Sequence, residues 1–135
     1  MAGETARFAE ECWAKMTATL ASLAGGFDVL LTGLIFEQPT ANVAEAFGMP
    51  LVTVHYFPYR VHGQLLPLLP APLSRMAMTV NEWTAWRGTR SGEDAQRREL
   101  GLPPATSPAP RRIAHRDSLE IQAYDELVFP HLAAE

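Results

Sequence analysis

A single cysteine, Cys12, stands in the 135-residue chain, so no internal disulfide can staple it and a reducing compartment suits it. The nucleophile elbow G-x-S-x-G, the phosphate loop G-x-x-x-x-G-K-[ST] and the dinucleotide fingerprint G-x-G-x-x-G are all missing, which removes the enzyme classes that those loops announce. The four histidines, His55, His62, His115 and His131, make no i, i+4 pair, and Cys12 belongs to no C-x-x-C; on spacing alone no metal site is expected. Prolines interrupt the longest apolar region and the N-terminus carries Glu4 with no basic stretch leading into an apolar core. Neither a membrane span nor a signal peptide is expected, and a cytoplasmic location, peripheral to a membrane at most, follows. Net charge is only −4 and the arginines are scattered except at Arg97, Arg98, Arg111 and Arg112, so nucleic acid is not an expected partner.

What is present is enough for one domain, since a chain of this length can bury a core of its own. The organising stretch runs from Asp28 to Tyr56. Asp28-Val-Leu-Leu-Thr32 is too short for an independent helix and ends at Gly33, which reads as a buried strand. Residues Pro39 to Gly48 read as a helix in which Val43, Ala44 and Phe47 share a face and Gly48 takes the left-handed position beyond the C-terminus. Leu51-Val-Thr-Val-His55 is a β-branched run typical of a parallel strand covered on both faces. Strand, helix and strand make a βαβ crossover, whose ligands sit beyond the carboxyl ends of the strands; this selects the loops Gly33–Gln38 and Tyr56–Gly63.

Around this unit, Phe8, Cys12, Trp13, Met16, Leu20 and Leu23 recur at helical spacing and Gly25-Gly26 stops them, predicting an amphipathic helix over about 5–23. Between Tyr56 and Leu73 the prolines Pro58, Pro67, Pro70 and Pro72 exclude a continuous helix or central strand and predict a long ordered loop. Ser74 can cap a helix with Met76, Val80 and Trp83 on one face. Gly88 and Gly92 weaken its continuation, and Ser91 with Asp94 resembles a second capping box, so two helices or one kinked helix fit equally. Gly101 followed by Leu102 closes that segment in the Schellman manner. Prolines 103, 104, 108 and 110 predict an extended connection, and Leu119-Glu-Ile-Gln-Ala123 alternates as a strand with one solvated face or at an edge. Three parallel strands alone would leave unpaired edges.

Among candidate site residues, His55 ends the second strand and Glu37 lies in the loop after the first, so the two can face one cleft. Phe36, Tyr56, Phe57 and Tyr59 can line an apolar pocket, and Arg60 and His62 can hold an anionic or hydroxyl-rich ligand. Each has a plain structural alternative: a hydrogen-bonded histidine, loop packing, solvated charge. Trp83 and Trp86 read as helix-packing residues rather than a sugar platform, and Asn42 as a weak candidate at a helix N-terminal turn.

The series Asp28-Val-Leu-Leu-Thr-Gly33, Asn42-Val-Ala-Glu-Ala-Phe-Gly-Met-Pro50, Leu51-Val-Thr-Val-His-Tyr-Phe-Pro58 and Arg97-Arg-Glu-Leu-Gly-Leu-Pro-Pro104 resembles, in order and spacing, the amino-terminal domain of bacterial GT-B glycosyltransferases. The actinobacterial enzymes acting on glycopeptides, glycolipids or sterols are the nearest subgroup. The resemblance implies an α/β fold, a Rossmann-like parallel sheet with flanking helices. It makes residues 1–135 a single partial acceptor-side domain, without the family's glycine-rich first strand and without its nucleotide-sugar domain. It also implies a UDP- or dTDP-sugar as donor substrate of the intact enzyme, no cofactor in this chain, and a hydrophobic hydroxyl-bearing acceptor touched by Phe36, Glu37, His55, Tyr56, Phe57 and Arg60, with no catalytic residue assigned. Two rivals stay open: a small non-catalytic α/β interaction module, and a small hydrolase using Glu37 and His55.

Overall fold

The computed structural model describes residues 2–61, 63, 70–125 and 127. Helix α1 spans Ala2–Ala24, strand β1 Leu30–Gly33, helix α2 Glu37–Phe47, strand β2 Leu51–His55, helix α3 Ala71–Glu99, helix α4 Ala109–His115 and strand β3 Leu119–Gln122, with a single 3-10 turn at Leu34–Phe36 between β1 and α2. The three strands form one parallel sheet in the order β1-β2-β3. The expected α/β architecture is therefore what the chain adopts.

The register puts Leu30 beside Leu51 and Thr32 beside Thr53, with Thr53 beside Glu120, all on one face. Helix α2 packs against that face and is itself flanked by α1, α3 and α4. Its small residues allow this: Ala41, Val43 and Ala44 pack with Leu30, Leu51, Ala24 and Ile113 in the buried core, flanked by Leu20, Met49 and Leu100. Full burial of a Val or Ile side chain contributes about 1.5–3 kcal/mol, so Val43 and Ile113 are principal anchors.

The other face carries Leu31, Val52, Leu119, Val54 and Ile121 in register, and stays open: Leu31 is 68%, Leu119 60% and Ile121 41% exposed. This reverses part of the expectation for β3. Its alternation is real, but the apolar residues face the open side and Glu120 turns toward the helices.

Three helices end in the same device. At Gly48 (φ 63°) the Met49 amide bonds the Ala44 carbonyl at 2.9 Å, and at Gly101 (φ 74°) the Leu102 amide bonds the Arg97 carbonyl at 2.8 Å; both are Schellman closures. Asp117 (φ 51°) fills the equivalent place after α4, with the Ser118 amide on the Ile113 carbonyl at 3.3 Å.

Several expectations change. Cys12 is exposed and Leu23 half-exposed, while Thr17 and Ala24 are buried, so the inward stripe of α1 is rotated from the apolar one read in sequence. Phe47 is 46% exposed and does not join Val43 and Ala44 in the core. Helix α3 begins at Ala71 after Pro70 and runs unbroken through Gly88 and Gly92, so Ser74 lies inside its first turns, buried, and is not the cap. Met76 and Val80 point outward and Trp86 is the inward residue. Helix α4 occupies part of what reads as an extended connection; Pro108 and Pro110 fall at its start, where the missing amide hydrogen costs nothing. His62, Pro67 and the leucines of 64–69, and residues 128–135 lie outside the described residues. No described helix is long and apolar enough to cross a membrane.

Candidate functional site

The carboxyl ends of the strands gather a compact charged cluster. Glu37 opens α2, immediately after the turn that follows β1; His55 closes β2; Glu120 lies on β3; Arg60 comes from the loop after β2. The β-branched run Leu51–His55 alternates faces, so Leu51, Thr53 and His55 all point toward α2. His55 is therefore buried, at 2% exposure, and Glu37 beside it at 4%. His55 Nε2 lies 3.7 Å from Glu37 Oε2, and His55 Nδ1 lies 3.9 Å from Glu120 Oε2. Arg60 closes the cluster: its Nη2 pairs with Glu37 Oε1, and its Nε donates to Glu120 Oε2 at 2.5 Å.

The cluster is incompletely satisfied. Among the described residues, His55 Nε2, Arg60 Nη1 and the hydroxyl of Thr53 are buried without a hydrogen-bond partner. Buried polar atoms in folded proteins are overwhelmingly paired, so a cluster with orphans is a place where a ligand or a rearranged side chain can complete the set.

Beside it, a groove of about 200 Å³ is lined by Leu34, Glu37, Tyr59, Glu82, Trp86 and Pro108 among others. A larger apolar groove of about 320 Å³ adjoins it, formed by Phe57, Pro58, Tyr59 and Val61 against Ala77, Met78, Asn81 and Glu82 of α3. Tyr59 and Glu82 line both.

Of the residues expected at the site, Glu37, His55 and Arg60 meet directly, and Phe57 lines the apolar groove. Tyr59, a further member of the aromatic group, lines it too. Phe36 and Tyr56 are exposed, at 55% and 61%, and line neither groove. Glu120 escaped sequence reading because nothing in Leu-Glu-Ile-Gln announces that its one carboxylate crosses to the end of another strand.

A second cluster, on the far side of α2, binds the helices together. Asn42 donates to Gln96 at 2.8 Å and accepts from Arg97 at 2.8 Å and Arg112 at 2.9 Å. Arg97 grips Glu45 with two bonds of 2.9 Å and donates to the Pro103 carbonyl at 2.6 Å. Arg112 meets Glu93 at 2.5 Å, and the Trp86 indole donates to the same carboxylate at 2.7 Å. The hydrogen bond from Arg97 holds the Glu45 carboxyl below the usual glutamate range, against the opposing effect of burial. Asn42 is thereby a fully buried structural residue, and the motif residues Glu45 and Arg97 turn out to be partners that fix α2 to α3.

No protein-family model matches the chain. It is 55% identical over 127 residues to a Mycobacterium tuberculosis protein named as an uncharacterized glycosyltransferase, covering 93% of this chain and 31% of that protein. A Mycobacterium leprae protein of the same description is 52% identical over 126 residues, covering 93% and 30%. A Mycobacterium bovis protein named only as uncharacterized is 45% identical over 130 residues. The chain thus spans about a third of the length of the curated relatives it matches.

Proposed function

We propose that this chain is the acceptor-side portion of a GT-B glycosyltransferase that moves a hexosyl group from a nucleotide-sugar to a hydroxyl of a lipid, sterol or peptide-type acceptor. The observation that carries the reading is the 55% identity, over nearly the whole chain, to a protein named as a glycosyltransferase. The site geometry supports it: an apolar groove at Phe57, Tyr59 and Met78 adjoins, through the wall shared at Tyr59, a groove that reaches Glu37 of the strand-end cluster. In this reading the acceptor's apolar body lies in the groove and its hydroxyl is presented toward Glu37 and His55. A base takes the hydroxyl proton as the sugar's C1–O bond to the diphosphate breaks, and the leaving diphosphate is held by groups supplied from outside these 135 residues. Glu37 is paired with Arg60 and His55 beside it is buried, so acceptor entry requires that guanidinium to shift.

The test is a chimera. The matching segment of the M. tuberculosis relative is replaced by this chain and assayed for transfer of radiolabelled hexose from UDP- and dTDP-sugars to apolar alcohols. Transfer is the expected result, while the 135 residues alone give no saturable heat with either donor in calorimetry. A folded chimera that hydrolyses or binds no nucleotide-sugar, or tight donor binding by the chain alone, overturns the reading. The open face of Leu31, Leu119 and Ile121 favours one other reading, a self-standing interaction module. That module would give a cooperative melt and a defined oligomer for the isolated chain.

A further inference from the structure

We propose that the strand-end cluster is a divalent-cation site of the zinc class, with Glu37, His55 and Glu120 as ligands and the Arg60 guanidinium as the resident cation that the metal displaces. One donor atom from each of the three residues lies within 4.8 Å of the other two. The donors arise from three separate elements, α2, β2 and β3, so the set was invisible to ligand spacing along the chain. A tetrahedral zinc with bonds of about 2.0–2.1 Å separates its ligand atoms by about 3.3 Å, so a donor set spread over as much as 4.8 Å draws in by up to about 1.5 Å, within reach of side-chain rotation; Nε2 serves the ion, while Nδ1 faces Glu120 at 3.9 Å. Imidazole with two carboxylates suits zinc and the neighbouring first-row ions, and three protein ligands leave a fourth position open.

Two further observations point to a ligand. The imidazole of His55 is 2% exposed and its Nε2, facing Glu37, has no hydrogen-bond partner among the described residues; a metal supplies one. The charge is also unbalanced, because two carboxylates face a single guanidinium. Arg60 leaves Nη1 unpartnered, and it sits on a loop rather than on a strand or helix, so it can withdraw without breaking the sheet. The groove on the Glu37 side gives an ion a route in. The ion takes the same Glu37 and His55 that the proposed function turns toward the acceptor, but its binding is read without sugar transfer and does not depend on it.

The test is calorimetric titration of the chelator-treated 135-residue chain with Zn²⁺, in a Cys12→Ser background because that exposed thiol is itself a zinc donor. Binding of one ion with a raised melting temperature is expected. Glu120→Gln and His55→Gln should each weaken it about 10–100-fold, and Arg60→Met should tighten it by at least about tenfold by removing the competing charge. Glu120 is partly exposed, so Glu120→Gln gives the answer even if the histidine variant does not fold. One-site binding that survives Glu120→Gln, or no saturable binding by either the starting chain or its Arg60→Met variant, overturns the proposal.

Discussion

The helix-joining network and the strand-end cluster each hold two glutamates, yet the first balances them with Arg97, Arg112 and, at 3.6 Å from Glu45, Arg116, and the second with Arg60. In the network nearly every polar atom has a partner, Arg112 Nε being an exception, and its members tie α2, α3 and α4 into one unit. In the strand-end cluster a buried imidazole nitrogen and a guanidinium nitrogen lack partners among the described residues. Two buried charge clusters of similar make-up thus differ in completeness. Completeness marks a group whose work is holding the fold, and incompleteness marks one left available for chemistry.

Removing members of each separates the two roles. The largest effect is expected for Arg97→Ala, which leaves Glu45, Asn42 and the Pro103 carbonyl short of a donor; urea unfolding should show a loss of about 3–5 kcal/mol. Ile113→Ala, at the apolar floor beneath the network, should cost about 3 kcal/mol in the same experiment. Gly101→Ala forces a side chain into a left-handed position and should cost about 1–2 kcal/mol. Arg60→Met sharpens the contrast from the other side: it leaves the buried Glu37 without its cation, and the unfolding free energy should fall by about 1–2 kcal/mol, less than at Arg97 because Arg60 and Glu120 keep part of their solvent.

The network also sets an acid limit. The Glu45 carboxyl titrates below its unfolded value because Arg97 stabilises the charged form. Its contribution to stability is therefore complete above the ordinary glutamate pKa and is lost as pH falls through the lower folded-state value. Glu45→Gln should flatten the acid limb of the stability profile, read as melting temperature against pH; an unchanged limb contradicts the pairing.

Much of this was legible in the residues. Leu51–His55 is the strand its β-branched run announces, and Gly48 and Gly101 cap helices as their positions require. The meeting of Glu37 with His55 followed from the rule that parallel strands converge chemistry at their carboxyl ends. What stayed hidden depends on long-range packing. Helix α4 has one buried large apolar residue, Ile113, and an aspartate where a glycine stop is looked for, so no periodic signal marks it. Glu45 and Arg97 are 52 positions apart, and no local pattern pairs them. Glu120 reaches the site only because β3 lies beside β2 in that register.

The most direct measurement is acceptor kinetics in the chimera carrying His55→Ala. The account predicts that the acceptor KM rises at least about tenfold, the loss of one well-placed buried contact, while the donor KM stays near that of the parent and so shows that the chimera is folded. An unchanged acceptor KM in a folded chimera, with the donor KM altered instead, would contradict the placement of the acceptor at the strand ends.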